Sequence, residues 1–112
     1  MNENPLLDIR IGTLVKGNEN AAGYVRQIKQ HGFESFALTF WERIGDVNLE
    51  QLAREVREEI DDTDIKIECI GIYGNPLESR PIDEETLEGG RQCIDHAALF
   101  GATVVSGFAG RL

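Results

Sequence analysis

Four short β-rich runs alternate with segments whose apolar residues recur at helical spacing, and this alternation constrains the fold more than any other feature. The runs are Asp8–Leu14, Ser35–Phe40, Ile65–Ile72 and Thr103–Val105. They recur at a spacing of roughly 25 to 35 residues, which leaves room for one helix between each pair. In the first run Ile9 and Ile11 alternate with Arg10, as strand residues facing opposite sides do. The third is apolar on both faces near its end, as a buried parallel strand is. The order βαβαβαβ predicts an α/β chain with a parallel sheet and right-handed crossovers. Two architectures fit: half of a (β/α)8 TIM barrel, or an open flavodoxin-like sheet. They differ in strand order, 1-2-3-4 for the barrel against 2-1-3-4 for the open sheet.

The helices carry their own punctuation. Lys16–Asn20 reads as a polar turn, with Asn18 or Asn20 available to cap a helix over Ala21–His31. Ala21, Val25 and Ile28 share one face of it, and Gly32 supplies the left-handed stop. Asn48 and Gln51 have the spacing of a capping box. Behind them Leu49, Leu52, Ala53, Val56 and Ile60 form a stripe. Asp83 is the expected cap of the third helix, with Glu84 and Glu85 at the positive end of its dipole. Leu87, Gly90, Ile94, Ala97 and Ala98 are its expected inner face. Gly89-Gly90 inside a helix costs about 1 kcal/mol per glycine against alanine, which implies close approach to the sheet.

A length of 112 residues suits one domain, residues 1–112. The charge of −9 argues against nucleic acid as a partner. No apolar run is long enough to span a membrane, and MNENPLLD lacks the basic start and apolar stretch of a signal peptide. Cys69 and Cys93 form no metal or redox spacing, which favours a reducing, cytoplasmic setting. There is no GxGxxG after the first strand and no GxxxxGK[ST], which weighs against a Rossmann-like nucleotide binder. His31 and His96 both fall on helices, away from the strand tips, so no metal site is expected in this chain.

In either architecture chemistry belongs at the C-terminal ends of the strands. Thr39, Trp41 and Glu42 follow the second strand, Tyr73 and Asn75 the third, and Ser106 and Arg111 the fourth. Together they offer aromatic rings, hydroxyls, an amide, a carboxylate and a guanidinium, a lining suited to a small polar ligand. Glu42 is a candidate catalytic base; the others are candidate substrate-binding residues. Each also has a plainer reading. Trp41 can plug the strand ends, Glu42 can be a solvated carboxylate paired with Arg43, and Asn75-Pro76 can be turn chemistry.

The stretches IGTL, HGFESFAL, IECIGIYGNPL and CIDHAALFGATVVSGFAG, in this order, resemble the xylose isomerase-like (β/α)8 superfamily, its sugar phosphate isomerase/epimerase branch in particular. The resemblance runs from about Ile9 to Leu112 and implies strands one to four of a barrel of about 250 residues. It implies metal-assisted proton transfer on a sugar, sugar phosphate or cyclitol. The expected divalent metal would be held chiefly from strands five to eight, so no ligand carries over to this chain. Asn75 matches as a substrate-pocket residue; Ala37 stands where many members have a Glu. On this reading the chain is a truncated half, inactive alone, that associates with a second copy or with the missing C-terminal half. Alternatives are a non-catalytic ligand-binding module and a nuclease relative from the same superfamily.

Overall fold

The computed structural model describes residues 9–111. Its elements are β1 (Gly12–Lys16), α1 (Ala21–Ile28), β2 (Ser35–Trp41), α2 (Leu49–Ile60), β3 (Lys66–Tyr73), α3 (Ile82–His96) and β4 (Val104–Gly107). Short 3-10 turns extend α1 over Lys29–His31 and α3 over Ala97–Phe100. The four strands are parallel and pair in the order β1-β2-β3-β4. This is the barrel order, not the 2-1-3-4 of a flavodoxin-like sheet.

The helices lie on one face of the sheet. Val15, Phe36, Leu38, Phe40, Ile67, Ile70 and Ile72 alternate along their strands and join one buried cluster with residues of all three helices. A doubly wound sheet would cover both faces. Here, among the described residues, the other face is uncovered, an arrangement that fits part of a barrel, with helices outside and a concave face within.

One irregularity lies inside β3. Phe36 pairs with Ile67 and Ala37 with Cys69, so Glu68 is an extra residue bulged out of the ladder. Its carboxylate lies 3.6 Å from Arg10.

Local chemistry accounts for the helix ends. Asn48 Oδ1 accepts from the Gln51 amide at 3.0 Å, while the Gln51 side chain donates to Glu55, so only half of the capping box forms. All five residues of the expected α2 stripe are buried. No side chain caps α1; Asn18 instead accepts from the Asn20 amide. Gly32 ends the turn after α1 at φ 90°. Across α1 and α2, Glu59 bridges Arg26 and Lys29, and the bond from Arg26 holds its carboxyl below the usual range.

Three sequence expectations are corrected. Asp8 lies outside the described residues, Ile9 and Ile11 are exposed, and β1 begins only at Gly12 and runs through Lys16. Arg10 and Ile11 are instead engaged below the sheet, Arg10 donating to the Asp64 carbonyl and Ile11 sharing two bonds with Glu34. Helix α3 starts before Asp83, which sits buried in its first turn and accepts from the Arg80 amide. Its inner face is Asp83, Thr86, Gly89 and Cys93; of the expected residues Ala97 is buried just beyond the helix, while Leu87, Ile94 and Ala98 are exposed. The glycine reading divides accordingly: a Cβ on Gly89 would run into Ile72, whereas Gly90 has ordinary space. Among the described residues no helix is long and apolar enough to cross a membrane.

Candidate functional site

Strand register sorts the concave face into rows. Leu14, Ala37, Cys69 and Val104 align as an apolar row. One step toward the C-terminal ends, Lys16, Thr39, Gly71 and Ser106 align as a polar one. Above it Trp41 pairs with Tyr73, and Phe108 packs edge-on against Tyr73 at 5.0 Å between centroids. Adjacent strands lie about 4.8 Å apart, so each row is a ladder of side chains at that spacing. Five residues of the upper rows, with Leu14 and Phe40, line an open cavity of about 420 Å³.

Gly71 leaves a notch in the polar row. A Cβ there would come within 2.5 Å of the Ser106 carbonyl oxygen and Oγ. Ser106 leans into this space. Its Oγ is hydrogen-bonded to Cys69 Sγ at 3.0 Å in the row below and to the Tyr73 hydroxyl in the row above. Thr39 Oγ1 donates to the Val15 carbonyl at 3.4 Å. Lys16 makes no ion pair among the described residues, although acidic groups outnumber basic ones by 20 to 11. Trp41 is 70% exposed, so it stands over the cavity without sealing it.

Four expected site residues, Thr39, Trp41, Tyr73 and Ser106, therefore meet on one surface. Asn75 and Arg111 form a separate pair in the loops beyond. Asn75 Nδ2 donates to the Arg111 carbonyl at 2.8 Å, and Asn75 Oδ1 accepts from the Arg111 amide at 2.9 Å and the Leu77 amide at 3.2 Å. Its amide thus staples the loop after β3 to the loop after β4. Glu42 lies elsewhere again. Its carboxylate pairs with Arg80 at 3.1 Å, and Arg43, its expected partner, pairs with Glu85. The bond to Glu42 is the main cause that keeps the Arg80 guanidinium protonated beyond its ordinary range.

Lys16, Cys69, Arg80 and Phe108 went unnoticed as site residues in the sequence. Lys16 belongs to the Gly12-Leu14-Lys16 alternation, a two-residue period that continues past the first expected strand end. Arg80 stands three residues before Asp83, a local pairing distance. Among the described residues no three His, Cys, Asp or Glu side chains converge to hold a metal ion.

No family model matches the chain, and no curated protein matches it. A solved structure does: the apo form of 3-keto-D-glucoside 4-epimerase, YcjR, from E. coli. It superposes with a TM-score of 0.56 at 23% identity, over 88% of this chain and 37% of that one. The chain therefore spans little more than a third of the epimerase's length, and what the two share is the fold.

Proposed function

We propose that this chain forms the substrate-facing first half of a sugar isomerase or epimerase barrel and that its concave face holds a carbohydrate. The stacking of an aromatic row above a polar row carries this reading. A sugar ring presents apolar C–H faces and a girdle of hydroxyls, and that ladder offers a partner to each. Trp41, Tyr73 and Phe108 supply ring faces and edges; Lys16, Thr39 and Ser106 supply donors and acceptors. Proton transfer beside a carbonyl or hydroxyl carbon is proposed for the whole barrel, and this chain's part in it is to bind and orient. Among the described residues no strand pairs with the outer edges of β1 and β4, which the rest of a barrel or a second copy would pair.

Trp41 is the single tryptophan, so its fluorescence reports on the cavity directly. Titration with neutral monosaccharides, keto-sugars and sugar phosphates is expected to change its emission saturably, with weaker binding in Ser106→Ala. Emission that ignores every sugar tested, from a folded chain, would sink the reading. Mass in solution tests the association: a stable monomer at high concentration counts against a second copy.

A further inference from the structure

We infer that Arg80 is a positioning residue for the aromatic rim, acting through Glu42; the inference rests on the carbohydrate-facing reading of the concave face. Glu42 directly follows Trp41 and has φ 63°, a left-handed conformation that a residue with a side chain adopts only when its surroundings hold it. Three groups hold it. Its amide donates to the Tyr73 carbonyl at 2.7 Å, its carbonyl accepts from the Thr86 hydroxyl, and its carboxylate pairs with Arg80. The first bond ties the residue next to Trp41 directly to the backbone of Tyr73, the other rim residue.

Arg80 is itself held from several sides. Nε lies 2.9 Å from Glu78 and 3.2 Å from the buried Asp83, and Nη2 donates to the Asn75 carbonyl at 3.3 Å. Asp83 also accepts from the Arg80 amide, so the start of α3 fixes both the backbone and the head of this side chain. A planar guanidinium can serve these diverging acceptors at once; a lysine ammonium, a single point of charge, cannot. Arg80 thereby locks the loops after β2 and β3 to the first turn of α3. The geometry gives Glu42 a task other than proton transfer: it anchors the residue beside it.

The test uses the intact chain without sugar first. Arg80→Met is expected to speed exchange of the Glu42 amide about tenfold and to alter the near-UV circular dichroism of Trp41, while the Leu38 and Ile70 amides exchange as before. Arg80→Lys should restore part of both signals. If Arg80→Met does not fold, Glu42→Gln removes one limb of the lock and is read in the same way. A folded Arg80→Met chain, or failing that a folded Glu42→Gln chain, with unchanged exchange and unchanged Trp41 dichroism overturns the inference. Sugar titration then separates the two ideas. If the rim loosens but the unmodified chain binds no sugar, the carbohydrate reading fails and the lock stands. If sugar binds and the variant's rim is unaltered, the lock fails and the reading stands.

Discussion

The two faces of the sheet are built from the same strands and do opposite things. On the helix side Val15, Phe36, Leu38, Phe40, Ile67, Ile70 and Ile72 are buried. On the concave side Leu14 is 66% exposed and Val104 53%, and Trp41 and Phe108 are open to solvent as well. One face uses its apolar area to hold the fold, at about 1.5–3 kcal/mol for each large side chain buried. The other displays comparable residues without that gain. A face that keeps aromatic and branched side chains in water has a reason other than the stability of these four strands.

Substitution on each face breaks or sharpens this contrast. The largest effect is expected from Leu38→Ala, which empties a fully buried position and should cost about 2–5 kcal/mol in urea unfolding. Next comes Gly71→Ala, where the new methyl meets the Ser106 backbone across the β3–β4 pair; a loss of about 1–3 kcal/mol is expected. The thiols supply a third comparison. Burial pushes Cys93, on the helix side, up to about 11, while Cys69 lies half-buried on the concave side. A thiol reagent should therefore label Cys69 in the folded chain and Cys93 only on unfolding. The sign for stability follows from linkage. The folded state keeps the Cys93 proton where the unfolded thiol has lost it, so Cys93's contribution is intact below the ordinary thiol value of 9.0 and fades as pH rises toward 11. Unfolding curves across that window should flatten in Cys93→Ala. The smallest effect is expected from Leu14→Ala on the concave face, within about 0.5 kcal/mol. A cost matching that of Leu38→Ala would end the distinction between the faces.

The helix side was the more legible of the two in the sequence. The stripe from Leu49 to Ile60 names the buried residues of α2 because a long helix with charged flanks leaves one orientation open. Helix α3 misleads for the opposite reason. Its inner face is built from Asp83, Thr86, Gly89 and Cys93, small or polar residues that fit where the helix runs close to Ile72. The larger Leu87 and Ile94 face outward, and hydropathy alone ranks them as core. Strand β1 starts later than the alternation of Ile9 and Ile11 suggests, since both side chains are exposed and gain nothing from the core. At the strand tips, Thr39, Trp41, Tyr73 and Ser106 could be gathered from topology. The engagement of Glu42 by Arg80 could not, since the two are 38 positions apart and only the folded loops bring them together.

The bulge at Glu68 has a bearing on how this sheet tolerates changes in chain length. Ile67 sits opposite Phe36, and Cys69 opposite Ala37, as they would if the residue between them were absent. Glu68 is slack taken up in the strand, like an expansion joint in a rail. Its removal would leave every other β3 side chain on its present face and forfeit one ion pair with Arg10. A deletion among the ladder residues from Ile70 to Tyr73, with Glu68 still bulged, would turn that end of the strand inside out. A one-residue shortening of this strand would therefore be absorbed best at Glu68, away from both the core and the cavity.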